Sequence, residues 1–253
     1  MKIVDKNERN LLYEKPKLLN DTNMHYCPGC SHAVLNKLVA EVLGEIDVPV
    51  EDIIGVSPVG CGVFIYNYID IDWIEAAHGR APAVATGVKR LNPNKLVFTY
   101  QGDGEVTAIG TGEAVHAANR GENITIIFVN NAVFGMTNGQ MAPTTPMGMK
   151  TTTCPEGRRA DLNGYTIKIA ELFAGLDGTC YVTRQAVNTY KAVKATKKAL
   201  RKAFENSMKG KGTSVVEVVC ACPTNWKMTP VEANKWLSEK MFDTFHIGDI
   251  KDR

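Results

Sequence analysis

Residues 95 to 131 read as a strand, a glycine turn, a helix and a second strand, and that order leaves few folds open. Lys95–Tyr100 is β-rich and runs straight into Gly102-Asp103-Gly104. Ala108–Asn119 carries a helical pattern, and Ile124–Val129 is wholly apolar and ends at Asn130-Asn131. This is a βαβ unit, and strands apolar on every residue suit a parallel sheet covered on both faces.

The alternation continues on either side. Ser31–Leu43 sets Val34, Leu35, Leu38, Val39, Val42 and Leu43 at helical spacing before Gly44, and Ile53–Val56 is a short buried strand ending at Ser57-Pro58. Gly79–Leu91, small at Ala81, Ala83, Ala85 and Gly87, suits a helix packed closely on another backbone. Thr166–Leu172, Thr179–Thr183, a long helix over Val187–Met208 and a strand over Ser214–Val219 follow. A helix over about Pro230–Phe242 is expected to close the chain. Thr137–Arg159 has no periodicity and directly follows the richest motif region, so it reads as a long functional loop. The expectation is one α/β domain over residues 24–253, a mostly parallel sheet with helices on both faces. An irregular arm over residues 1–23, broken by Lys15-Pro16, precedes it.

Bulk properties exclude more than they assign. A chain of 253 residues with 44% hydrophobic and 22% charged residues has the composition of a soluble globular protein, and a net charge of +2 leaves its partners open. No apolar run is long enough for a membrane span. Met1–Asn23 is polar and mixed in charge, unlike an export signal, so the expected location is the cytoplasm. Basic residues collect over Lys191–Lys211 without interleaved aromatics, which argues against nucleic acid. Seven cysteines, an odd number in a chain not read as secreted, point to metal binding or redox chemistry rather than a disulfide framework.

The sharpest motif is Gly102-Asp103-Gly104-Glu105 followed by Asn130-Asn131, both at the carboxyl ends of expected strands, where α/β sheets bind ligands. The glycines let backbone approach a phosphate, and the next helix offers N-terminal N–H groups to an anion. Asp103 and Asn131 supply the hard oxygens that Mg²⁺ takes when it also keeps phosphate oxygens, with a backbone carbonyl near Val133 as a third protein ligand. Taken singly, an Asp-Gly pair is a turn and a double Asn a polar loop. A dinucleotide fingerprint fails because position 107 is Thr, and no phosphate loop ending in Gly-Lys-Ser/Thr exists. Together the two pieces resemble the diphosphate-binding signature of thiamine-diphosphate enzymes. That resemblance gives Mg²⁺ to Asp103, Asn131 and the Val133 carbonyl, and the diphosphate to Gly104, Glu105, Gly135, Met136 and Thr137.

Cys27-Pro28-Gly29-Cys30 lies just before the helix Ser31–Leu43, where exposed N–H groups lower thiolate pKa and donate to sulfur. A thioredoxin-like pair is weakened by the polar Asp21–Tyr26 ahead of it, and a structural zinc site could use the same cysteines. Cys61, in the turn Val59-Gly60-Cys61-Gly62, and Cys222, in Cys222-Pro223-Thr224, can meet them at one sheet edge. Cys220 competes for the fourth place, because strand alternation points Cys220 and Cys222 the same way. Cys154 and Cys180 read as loop or core thiols.

From His25 to Trp226 the chain resembles the β subunit of 2-oxoacid:ferredoxin oxidoreductases. The marks are His25–His32, Val59–Gly62, His78-Gly79-Arg80, Tyr100–Glu105, Asn130–Thr137 and Gln140–Pro146. The resemblance implies a 4Fe–4S cluster on Cys27, Cys30, Cys61 and Cys222, with Gly60, Cys61, Gly62 and His78 touching thiamine diphosphate. It implies decarboxylation of a 2-oxoacid to an acyl-CoA and CO₂ with reduction of ferredoxin. It also implies an α subunit (with γ and δ subunits in some assemblies) that carries the activating glutamate. Phe64 stands where 2-oxoglutarate enzymes of this family tend to carry Lys or Arg. An apolar wall there leans toward 2-oxoisovalerate, with pyruvate or 2-oxoglutarate as the alternatives. A non-oxidative thiamine-diphosphate decarboxylase or synthase is the rival class.

Overall fold

The computed structural model describes residues 2–4 and 11–253. Within the arm, β1 (Lys2–Val4) and β2 (Leu11–Glu14) pair antiparallel, which corrects the expectation of irregular chain; residues 1 and 5–10 lie outside the described residues. The sheet strands follow as β3 (Ile53–Ser57), β4 (Asp72–Glu75), β5 (Leu96–Gly102) and β6 (Thr125–Asn130). A small antiparallel ribbon, β7 (Val133–Phe134) with β8 (Gln140–Met141), interrupts them before β9 (Thr179–Ala186), β10 (Thr213–Val219) and β11 (Gly248–Asp252). The seven-stranded sheet runs in the order β11-β9-β10-β6-β5-β3-β4. Every pairing is parallel except β11 on β9.

The helices are α1 (Ser31–Glu45), α2 (Ala81–Leu91), α3 (Thr111–Asn119), the short α4 (Ala160–Asn163), α5 (Ile169–Ala174), α6 (Tyr190–Met208), α7 (Pro223–Trp226) and α8 (Pro230–Trp236). Successive strand residues point to opposite faces. In β5, Phe98 and Tyr100 pack with Leu35 and Leu38 of α1 and Leu200 and Phe204 of α6, while Val97 packs with Ala85 of α2, Ala117 of α3 and Phe173 of α5. Both faces of the central strands are thus buried, as their unbroken apolar runs require.

Two differences from the sequence expectation share one cause. The helix expected over about Pro230–Phe242 is present as α8, one wide helical turn over Leu237–Met241 and a last turn over Phe242–Thr244, but it does not close the chain: β11 follows and adds to the sheet edge. The opposite edge is β4, which no apolar run announces. Both edge strands are largely solvent-facing and polar, Asp72-Trp73-Ile74-Glu75 and Gly248-Asp249-Ile250-Lys251-Asp252. Charged, short edges of this kind discourage intermolecular strand pairing.

Candidate functional site

Four adjacent strands, β10, β6, β5 and β3, deliver Cys222, Asn131, Asp103 and Cys61 just beyond their carboxyl ends. The helix α1 starts on the same side, with Cys30 as its N-cap and Cys27 three residues earlier. Ser31 Oγ accepts from the Ala221 N–H at 3.0 Å and ties the start of α1 to the chain leaving β10.

Asp103 is buried, and its carboxylate organises the turn after β6. Oδ1 accepts from Gly104 N at 2.8 Å, and Oδ2 accepts from Ala132 N at 2.9 Å and from the Thr144 hydroxyl. Ala132 has φ +65, a left-handed backbone uncommon outside glycine. It is held there by Asp103, by Asn130 Oδ1 at 3.2 Å and by the Thr145 hydroxyl on its carbonyl. Strained backbone fixed from several sides is characteristic of ligand sites. Burial pushes the Asp103 carboxyl up to about 7, against the pull of its three donors.

One cavity gathers the expected cofactor residues: Gly60, Cys61 and Gly62; His78; Gly102, Asp103, Gly104 and Glu105; Asn131 and Val133; and Gly135, Met136 and Thr137. Glu105 opens a wide π-type turn over Glu105–Ile109, an earlier start than the expected helix at Ala108. Its Oε1 accepts from Gly79 N at 2.8 Å and lies 3.7 Å from His78 Nδ1. Glu105 Oε2 and His78 Nδ1 are buried without a hydrogen bond of normal geometry to the protein. Burial raises Glu105 to about 7 and lowers His78. A Cβ at Gly60 or Gly102 would meet nothing within 4 Å, so the protein leaves open space over both. A buried carboxylate, an amide oxygen and the Val133 carbonyl beside glycine-lined space fit a divalent cation carrying a diphosphate.

A second, smaller cavity is lined by Cys27, Cys30, Cys61 and Cys222 together with His25, Tyr26 and Asn225. It shares His32, Cys61, Asn131 and Gly135 with the first. Cys220 is absent from this lining and sits in the core under α1 and α6. Alternation does not apply to the choice between the two, because β10 ends at Val219 and the chain has left the strand before Cys222, the N-cap of α7. Burial, then the neighbouring thiols, push Cys30 up to about 12 and Cys61 up to about 11; Cys222 is also raised. The His32 backbone N–H donates to Cys30, and Asn225 Nδ2 donates to Cys222 Sγ at 3.3 Å. Among the described residues no three His, Cys, Asp or Glu side chains close around a single-ion position. Four thiols spread around one cavity suit a group larger than one ion. All seven cysteines are free; Cys154 reaches Asn163 Oδ1 at 3.4 Å in its loop and Cys180 is buried on β9.

Phe64 does not line the cofactor cavity. It sits on the turn after Gly62, packed edge-on against His25 (5.0 Å) and Tyr66 (6.2 Å), and is 37% exposed. Sequence reasoning missed Thr144, Thr145, His32, Asn225 and Trp226. Thr144 and Thr145 fall inside the Gln140–Pro146 motif and His32 inside His25–His32, so their positions were in view without their roles.

A parallel sheet whose carboxyl edge pairs an aspartate turn with an Asn-Asn turn over glycine-lined space defines a thiamine-diphosphate-binding module. Residues 59–218 match the family model for the thiamine pyrophosphate enzyme, C-terminal TPP binding domain. The ketoisovalerate oxidoreductase subunit VorA of Methanothermobacter thermautotrophicus is 42% identical over 232 residues, 92% of this chain and 48% of that protein. The 2-oxoglutarate synthase subunit KorB of Methanocaldococcus jannaschii is 33% identical over 233 residues, 90% of this chain and 80% of that one. A solved structure of 2-oxoglutarate:ferredoxin oxidoreductase from Magnetococcus marinus, with 2-oxoglutarate, coenzyme A and succinyl-CoA bound, superposes with a TM-score of 0.72. It is 26% identical and covers 83% of this chain and 69% of that one. The chain belongs to the thiamine pyrophosphate enzymes and, among them, to the β-type subunits of 2-oxoacid:ferredoxin oxidoreductases. It spans about half the length of its VorA relatives.

Proposed function

We propose that this chain is the cofactor-bearing subunit of an oxidoreductase that converts a 2-oxoacid and coenzyme A to an acyl-CoA and CO₂ while reducing ferredoxin. One observation carries the reading: the cysteine cavity and the glycine-lined cavity share His32, Cys61, Asn131 and Gly135. Electrons leaving an organic cofactor would thus have an iron–sulfur acceptor in the adjoining space.

Asp103, Asn131 and the Val133 carbonyl hold Mg²⁺. Gly104, Glu105, Gly135, Met136 and Thr137 line the diphosphate, and Gly60, Cys61, Gly62 and His78 face the ring end. Cys27, Cys30, Cys61 and Cys222 hold a 4Fe–4S cluster. When bound, thiamine diphosphate supplies an electron sink for decarboxylation and the cluster a one-electron acceptor. The chain's own residues orient and insulate. Thr144 and the Ala132 N–H fix the Asp103 carboxylate, and Glu105 anchors the His78-Gly79 turn. The activating glutamate comes from an α subunit.

The substrate reading is 2-oxoisovalerate. It is supported by likeness to proteins named for ketoisovalerate, while Phe64, outside the cofactor cavity, lends it only the absence of a cationic side chain at that position; 2-oxoglutarate or pyruvate is the alternative, since other relatives are named for 2-oxoglutarate. Metal and cofactor analysis of the complex isolated without oxygen tests the class. About four irons per chain with bound thiamine diphosphate are expected, and the iron should be lost in Cys61→Ser. Zinc in place of iron, or no metal at these cysteines, would sink it in favour of a non-oxidative enzyme. Rates with the three acids rank the substrates.

A further inference from the structure

Helix α7 begins directly after Cys222, and two of its side chains reach back into the turn that follows β6. Asn225 Nδ2 donates to the Gly135 carbonyl at 2.8 Å and to Cys222 Sγ at 3.3 Å. Its neighbour Trp226 donates Nε1–H to the Asn131 carbonyl at 3.1 Å. The fit around Asn225 is close: a Cβ at Gly139 would lie 2.9 Å from Asn225 Cβ, and one at Gly135 would lie 3.2 Å from Cys61 Sγ and 3.7 Å from Asn225 Nδ2.

A carboxamide nitrogen carries two hydrogens. Here one is spent on the loop that lines the diphosphate end of one cavity and the other on a thiol of the next. Gly135 itself borders both cavities. No other side chain in the described residues hydrogen-bonds both a cysteine sulfur of this cavity and the 131–139 loop.

We propose that Asn225 is a positioning residue that couples the two cofactor sites: it sets the reduction potential of the group held by Cys222 and makes that potential respond to occupancy of the thiamine-diphosphate site. This rests on the cluster reading above. An N–H donor to a ligating sulfur stabilises the reduced, more negative form and raises the potential. When a diphosphate settles against the Gly135 loop, any movement of the Gly135 carbonyl changes the angle at which the same amide meets Cys222. Because the two hydrogens belong to one planar group, they cannot adjust independently.

The experiment is an anaerobic redox titration of the purified complex, followed by the electron paramagnetic resonance of the reduced cluster, with and without thiamine diphosphate and Mg²⁺. Wild type should show a midpoint that moves when the cofactor is added. Asn225→Leu, similar in shape but without the donors and without an added charge, should keep its iron and show a lower midpoint that no longer moves. Its thiamine-diphosphate affinity should fall about five- to tenfold, the worth of one hydrogen bond. If Asn225→Leu fails to retain iron, Asn225→Ala carries the same titration. Trp226→Phe removes the adjacent bond to the Asn131 carbonyl while leaving Cys222 alone, so it should weaken cofactor binding and leave the cofactor-free midpoint where it was.

A midpoint and a cofactor-induced shift unchanged in the Asn225 variants would overturn the proposal, as would an equal drop in Trp226→Phe, which would trace the effect to loop packing. Wild type lacking iron would overturn both this coupling and the oxidoreductase reading. Wild type with iron and a midpoint indifferent to the cofactor would overturn the coupling alone.

Discussion

Asp103 is a buried carboxylate whose ionised form has three donors and no cationic side chain among its hydrogen-bond partners. Its pKa stands at about 7, against an ordinary value of 3.8, because burial outweighs the donors. A carboxyl raised in the fold favours the folded state fully below its unfolded pKa and loses that contribution as pH rises through the folded value. The metal-free protein should therefore lose thermal stability from this group between about pH 4 and pH 7, and Mg²⁺ with thiamine diphosphate should restore it at the upper end. Melting curves across that range check this; a slope unchanged in Asp103→Asn would refute the assignment to Asp103. Thr144→Val removes one donor and should weaken Mg²⁺-dependent cofactor binding about tenfold, read by calorimetry. Asp103 was legible from its glycines and its place after a strand. Thr144, Asn225 and Trp226 were not, because their partners lie 41, 90 and 95 residues away and only the folded loops bring them together.

The central strands β3, β5, β6 and β10 were readable because each is rich in apolar and β-branched residues, and α1 and α6 because their apolar residues recur at helical spacing. The edge strands β4 and β11 were not, since an edge strand exposes polar residues and has no periodic signal to give. The sheet interior also hides a feature that an apolar reading passes over. Arg184 of β9, 1% exposed, binds Glu217 of β10 at 2.8 Å, and Glu217 in turn accepts from Asn130 of β6 at 2.6 Å. Three strands are cross-linked through one buried ion pair, one residue before the Asn131 turn. Arg184 also reaches Glu171 on α5 at 2.6 Å. Glu217→Gln should cost about 3 kcal/mol or more in chemical denaturation, since it strips a buried guanidinium of its fully buried counter-charge. A loss under about 1 kcal/mol would mean that Glu171 alone satisfies Arg184.

The edge that carries the site is not finished as a solvent surface. Met136, on the wall of the glycine-lined cavity, is 54% exposed, and Ile109, against Gly79 beside His78, is 51% exposed. Under the proposed function these exposed apolar side chains are surface that the α subunit would cover. Asp103 holds the Ala132 turn and Glu105 Oε1 the Gly79 N–H; in the proposed function both lie at the diphosphate end, and the group acting on the far end of a bound cofactor is the proposed α subunit's glutamate. The isolated protein, reconstituted without oxygen with iron, sulfide, Mg²⁺ and thiamine diphosphate, should therefore retain its iron and bind cofactor yet fail to reduce ferredoxin with any 2-oxoacid. Adding the co-purifying subunit should restore turnover. Ile109→Glu should leave folding and iron content intact and reduce co-elution with that subunit. Turnover by the isolated chain at the rate of the complex would show that the site is complete in itself, and normal co-elution of Ile109→Glu would place the partner on another face.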